Sequence, residues 1–253
     1  MKASFILNNS FKTVIKKISA VLFWIAVWLL LFKIIDNSFL LCSPFQIARK
    51  ISELVVTKDF WITTLISIVR VSVGYVSGII IGLVLAILSS ANTYIEELLS
   101  PLITVIKTTP VASFILLVLV WIKKENVPSF ISFIMVLPIA WSNISMGISR
   151  VDKKMKEVGK IYKLSAKNVI KHIYIPSVKP YFLSACTTSL GLSWKAGVAA
   201  GVLSQPNYSI GANLYSSKIY LETDNLFAWT AVVIIISLIL EKAVKSLINR
   251  VRG

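Results

Sequence analysis

Five lysines, Lys156, Lys160, Lys163, Lys167 and Lys171, recur at spacings of four, three, four and four, with Glu157 near their start and His172 at their end. Such spacing lines one face of a helix, so the first chemistry to consider is electrostatic docking. Catalysis would need more. Paired carboxylates or a Ser/His/Lys set would have to supply an acid, a base or a nucleophile. The chain has one histidine, and it sits on this basic segment, where solvation is the simpler role. Cys42 and Cys186 lie far apart and form no closely spaced pair, so neither a metal site nor a disulfide framework is supported. Both read as apolar filler. No G-x-x-x-x-G-K-[ST] phosphate loop occurs, so ATP has no site here and no cofactor is expected.

The elements that must carry this basic island are apolar. Hydrophobic residues make up 56% of 253, and only 15% are charged. A soluble domain leaves too much of its surface in water to accommodate that share. Apolar runs long enough to cross about 30 Å of hydrocarbon recur six times. They fall at residues 18–35, 61–88, 100–122, 127–148, 181–203 and 226–248. A backbone in lipid satisfies its own hydrogen bonds, so all six are expected as helices, the second with room to tilt or to include a turn. The expected class is all-α: a polytopic membrane protein with one transmembrane domain over 1–253, a cytoplasmic loop at 149–180 and an N-terminal anchor at 18–35. No small-residue cleavage site follows that anchor, so it is read as retained rather than as a signal peptide.

Lysine and arginine set the orientation. With the N-terminus inside, seventeen fall in inner segments, nine of them in 149–180, and seven in outer segments. Both termini are therefore expected in the cytoplasm of a multi-pass cell-membrane protein. The formal net charge of +16 is largely this topology signal, helped by anionic lipid heads, and calls for no nucleic acid.

The island at 149–180 reads as two short amphipathic helices with a turn near 163–165. Ser165 is expected to cap the second helix, and Pro176 to stop it. Val158, Ile161 and Tyr162, then Val169, Ile170 and Ile173, supply apolar stripes on other faces. Two roles fit: a segment lying on anionic lipid, or a docking element for a cytosolic partner.

Two helices carry small residues four apart, Gly74, Gly78 and Gly82 in the second span and Ser189, Ser193, Gly197 and Gly201 in the fifth. These faces let backbones approach where no hydrophobic effect drives association. Charges within spans need a partner or a cavity. Lys107 can snorkel. Arg70 suits an anchor to backbone carbonyls. Lys195, beside Trp194 and with no acid in its own span, suits a watery path for an anionic solute or a donor to carbonyls. Asn143 is a weaker lining candidate, more suited to helix–helix bonding.

At this point the chain resembles the membrane subunit of type I binding-protein-dependent ABC importers. That family's cytoplasmic loop reads E-A-A, three residues, G, nine residues, I-x-L-P. The same spacing here gives Glu157-Val158-Gly159, Lys163, Ile173, Ile175 and Pro176. TLISIVRVSVGYVSG at 64–78, IKTTPVASF at 106–114 and LSWKAGVAAGVLSQPNYSIG at 192–211 are similar to other family segments, the last to the nitrate, sulfonate and taurine branch. The resemblance covers about 55–250. Three departures stand out: Lys163 replaces the motif glycine, Gly159 the second alanine, and Gly201 a frequent glutamate.

The resemblance implies a coupling helix over Glu157, Val158, Gly159, Ile161, Tyr162, Lys163, Leu164, Ser165 and Ala166. It would insert into a groove of a separate cytosolic ATPase, with Glu157 pairing a basic residue there. It further implies a homodimer, or a paired permease, of about twelve spans, with an extracytoplasmic solute-binding protein delivering a sulfonate, nitrate, bicarbonate or vitamin precursor. Lys195, Trp194, Arg70 and Asn143 are the candidate path residues. An ion-gradient-driven transporter or an intramembrane enzyme would need buried acids or catalytic sets, and the spans hold no acid except Glu241 near the end of the last.

Overall fold

The computed structural model describes the backbone of residues 2–37 and 40–252, and side chains at 16, 18–37 and 40–250. Lys2, Lys12, Lys17 and Arg252, which contribute to the charge signal, lie outside the described side chains. The described chain is helical: α1 (Lys2–Ile35), α2 (Pro44–Val55), α3 (Lys58–Ala91), α4 (Thr93–Thr108), α5 (Val111–Val118), α6 (Val127–Ser149), α7 (Lys153–Ile161), α8 (Ala166–Val169), a π segment (Ile170–Tyr174), α9 (Ile175–Ser204), α10 (Ile210–Ile219) and α11 (Thr223–Arg252).

All six expected spans fall on helices. By length and composition α1 (over Ile18–Ile35), α3 and α6 each suffice to cross a bilayer, and α4 with α5 makes a fourth as a bent pair. The helices α9 and α11 have 30 residues each, about 45 Å at 1.5 Å per residue.

The third span differs from expectation. It is broken rather than continuous, with α4 and α5 meeting at 106°. The cause is local. A residue before proline is pushed out of the α region, and Thr109, ahead of Pro110, is extended at φ −71°, ψ 128°. Pro101 and Pro138, by contrast, sit inside α4 and α6 without ending them. Two helices outside the spans, α2 and α10, were not anticipated. Ser43 opens α2 with a complete capping box: its hydroxyl accepts from Gln46 N–H at 3.2 Å, and the Gln46 carboxamide accepts from Ser43 N–H at 2.8 Å.

The helix α6 is the centre of the bundle, with α3 on one side and α9 on the other. Against α3 it meets the glycine row. A Cβ on Gly74 would collide with the Ser129 carbonyl, one on Gly78 would lie 2.7 Å from Val136 Cβ, and one on Gly82 would lie 2.6 Å from Ala140 Cβ. No side chain fits between these backbones, so the row is a contact surface in lipid, where close packing is the main source of association. Against α9, the fully buried Ser132 donates to the Ser193 carbonyl at 3.1 Å, and a Cβ at Gly197 would stand 2.5 Å from Ser132 Oγ. By contrast, α1 has no residue of its apolar window buried. It is tied down by Trp28, whose indole N–H donates to the Cys42 carbonyl at 3.1 Å.

Candidate coupling element and transmembrane path

Asp152 starts α7 by accepting the Lys154 N–H at 2.9 Å. Its end is a Schellman turn: Leu164 N–H reaches the Gly159 carbonyl at 2.9 Å, and Lys163 N–H the Lys160 carbonyl at 3.1 Å. The residue between, Lys163, stands at φ 48°, in the left-handed region. This is the motif position that glycine would fill without a Cβ clash. The turn therefore forms despite the substitution, at a cost of about 1 kcal/mol.

Ser165 then caps α8 by accepting from Asn168 N–H at 3.4 Å, as the sequence suggested. Two expectations fail here. The five lysines do not share one face, because the left-handed turn at Lys163 redirects the chain between Lys160 and Lys167. Nor does Pro176 stop the second helix. The π segment carries the chain from α8 directly into α9, and Pro176 lies inside this continuous helical run without ending it, as Pro101 and Pro138 do in α4 and α6.

Gly159 is buried. A Cβ there would lie 3.2 Å from Ile173 Cδ1, 3.6 Å from Val169 Cγ2 and 4.0 Å from Leu164 Cδ1. So α7 rests against the π segment through its glycine, and an alanine there would require Ile173 Cδ1 to give by a few tenths of an ångström. The other side of this last turn of α7 is bare. Ile161 is 75% exposed and Tyr162 74%, with Val158 and Leu164 also exposed, as are Glu157 and Ala166. Among the described residues Glu157 makes no ion pair. His172 is exposed, as a solvated role requires.

Arg70 donates Nη1 to the carbonyls of Asn207 at 2.9 Å and Tyr208 at 3.1 Å. One turn earlier on α3, the Ser67 hydroxyl accepts the buried Ile210 N–H at 3.0 Å. Together they hold a loop whose Gln205 (φ 46°) and Tyr208 (φ 49°) are both left-handed. Gly201 closes the same corner: the Cβ of any larger residue would meet Ser209 Oγ at 2.7 Å, and a Cβ on Gly211 would strike the Gly201 backbone. Ser67 was not singled out from sequence, although its place three residues before Arg70 on one helix face was a usable signal.

Trp194 is 1% exposed and donates its indole N–H to the Val233 carbonyl of α11 at 3.1 Å. It is a packing residue on the side of α9 turned to its own chain. Lys195 points elsewhere. With Ser184, Thr188, Leu192 and Ala199 it lies on the exposed stripe of α9. Among the described residues no hydrogen bond or ion pair joins it to Arg70 or Asn143. Glu241 of α11 reaches α9 one turn away, where a Cβ on Gly191 would lie 3.3 Å from its Oε1, but its ion partner is Lys245 at 3.3 Å. Asn143 donates to the Ile139 carbonyl of its own helix at 2.9 Å. Lys107 donates to Ser142 Oγ at 2.6 Å, which ties the end of α4 to α6.

The family model of the binding-protein-dependent transport system inner membrane component matches residues 78–252, more than half of the chain. The chain belongs to that family. Its relatives include the nitrate import permease protein NrtB of Synechococcus elongatus, 28% identical over 193 residues, 68% of this chain and 69% of that one. The taurine transport system permease protein TauC of Escherichia coli is 22% identical over 214 residues, 82% of this chain and 77% of that one. The bicarbonate transport system permease protein CmpB of Synechococcus elongatus is 25% identical over 155 residues, 60% and 55% of the two chains. This permease spans 62–69% of the length of the nitrate import permeases it matches. A crystal structure of an amino acid ABC transporter with histidines matches with TM-score 0.51 and 18% identity, over 74% of this chain and 87% of that one, and supports the fold. The chain is thus a membrane transport subunit rather than an enzyme, and the relatives named above are permeases for nitrate, taurine and bicarbonate.

Proposed function

We propose that this permease forms, as a homodimer, an ATP-driven import path for a small anion delivered by an external binding protein, and that α7 docks into a separate cytosolic ATPase. The observation that carries the reading is the bare apolar end of α7, Ile161 and Tyr162, on a turn whose opposite side is packed by Gly159 against Ile173. An exposed apolar knob of this kind marks an interaction surface, and we assign it to a groove of the ATPase. Glu157 beside it supplies a charge for a basic partner residue.

The path of force follows from the same contacts. A push on α7 meets Ile173 in the π segment, which runs without a break into α9. Through Gly197 and Ser193, α9 bears on Ser132 of α6. A rigid helical connection can transmit displacement into lipid; a flexible loop would absorb it. Residues 1–253 then act as one transmembrane unit, with both termini and 149–180 in the cytoplasm. The anion assignment rests on Lys195, an ammonium left uncovered by its own chain, and agrees with nitrate and bicarbonate in the relatives' names. Arg70 is assigned to holding the outer loop rather than to the path.

Uptake of labelled nitrate or an alkyl sulfonate into vesicles, with the cognate ATPase and binding protein, tests this. Uptake that requires ATP supports it. Uptake driven by an ion gradient without the ATPase contradicts it.

A further inference from the structure

Lys156 is held differently from the other lysines of α7. Lys153, Lys154 and Lys160 are exposed, whereas Lys156 is half-buried. Asp152 stands four residues before it, the spacing of a helical ion pair, yet among the described residues no ion pair joins them. Asp152 instead caps α7 through the Lys154 N–H. Lys156 reaches across to the π segment. Its Nζ stands 5.4 Å from the centre of the half-buried Tyr174 ring, within reach of a cation–π contact. Gly159, three residues further along the same face of α7, lies against Ile173, the neighbour of Tyr174. Two successive residues of the π segment therefore meet two positions about one turn apart on α7.

We infer that Lys156 is a positioning residue that ties α7 to the π segment through the Tyr174 ring, so that α7 moves α9 when it is pulled as well as when it is pushed. Its place in transport rests on the docking role proposed above; the contact does not. The two contacts differ in kind. Gly159 against Ile173 resists compression, but a gap of about 1 Å forfeits up to half of such a dispersion attraction. An ammonium over an aromatic face is held electrostatically, and that attraction falls off more slowly with distance. A pair of ATPases that closes and reopens displaces α7 in both directions. Close packing passes on the first stroke, and the cation–π contact passes on the return. The chemical requirement is a cation at 156 and an aromatic face at 174; the Tyr174 hydroxyl is dispensable.

The test is hydrogen exchange of the purified full chain, read by mass spectrometry in peptides covering 153–161 and 170–174. Lys156→Gln removes the charge while helix propensity stays nearly the same. It is expected to speed exchange in 170–174, a segment it does not alter, by about three- to five-fold, the weight of one half-exposed cation–π contact. Tyr174→Leu is expected to speed exchange in 153–161 by a similar factor. Lys156→Arg and Tyr174→Phe, which keep the cation and the ring, are expected to exchange as the wild type does. In vesicles with the cognate ATPase and binding protein, Lys156→Gln is expected to retain the ATPase, because Ile161 and Tyr162 are untouched. It should nevertheless import less labelled nitrate or alkyl sulfonate per ATP hydrolysed. Wild-type exchange in 170–174 for Lys156→Gln overturns the proposal, as does a Lys156→Arg variant that exchanges as fast as the glutamine one. Faster exchange with an unchanged ratio of uptake to hydrolysis also overturns it. Failure of the docking role itself would show elsewhere, as an ATPase that stays bound when Ile161 and Tyr162 are changed, and would leave the exchange result standing.

Discussion

The Leu164 N–H meets the Gly159 carbonyl at 2.9 Å, and the turn it closes holds Lys163 at φ 48°. A lysine occupies a position that favours glycine, yet the turn is fully bonded. Lys163→Gly is therefore expected to stabilise the loop by about 1 kcal/mol and to preserve uptake. Lys163→Val, β-branched at positive φ, is expected to open it. Limited proteolysis between α7 and α8 reads both, with slower cleavage for glycine and faster cleavage for valine.

The α3–α6 contact should tolerate no side chain at its glycines. Gly78→Leu places its Cβ 2.7 Å from Val136 Cβ, and overpacking of this kind costs about 1–3 kcal/mol or more. Val73→Leu, on the exposed side of the same helix, is the control. Fluorescence-detected size exclusion is expected to show loss of folded protein for the first and wild-type yield for the second.

Much of this bundle was legible because its devices are local. Glycines four apart along α3, a serine at an N-cap and a left-handed turn at a fixed distance from Glu157 can all be read along one strand of text. The break at Thr109–Pro110 was missed because Pro101 and Pro138 show how often a membrane helix absorbs a proline. The lysine row misled because regular spacing assumes one continuous helix, and Lys163 ends it. The partners of Arg70 lie 137 and 138 residues away. No periodicity announces such a distance, and Gly201 against Gly211 is legible only once α9 and α10 are seen to turn back on each other.

Cys42 lies outside the spans and is buried, and burial pushes its thiol above the ordinary range, with Asp224 adding to the shift. Only the thiolate reacts, so the rate of maleimide labelling should rise at higher pH than for a free cysteine. Asp224→Asn should bring that rise down in part, because the larger cause, burial, remains. A labelling profile like that of free cysteine would show that α2 and the start of α11 do not enclose the residue.

Lys195→Met should assemble normally but import poorly, and Lys195→Arg should keep partial activity, since charge survives while shape changes. The readout is initial uptake per folded permease. An unchanged rate for methionine would remove Lys195 from the path, and with it the residue on which the anion assignment rests.

The docking role of α7 is tested most directly by co-purification of the permease with its cognate ATPase subunit. Ile161→Asp combined with Tyr162→Asp changes two exposed side chains, so the folded permease should be recovered in wild-type amount. The account predicts that the ATPase no longer co-purifies with this variant. Retention of the ATPase at the wild-type ratio would contradict it and would place the docking surface elsewhere.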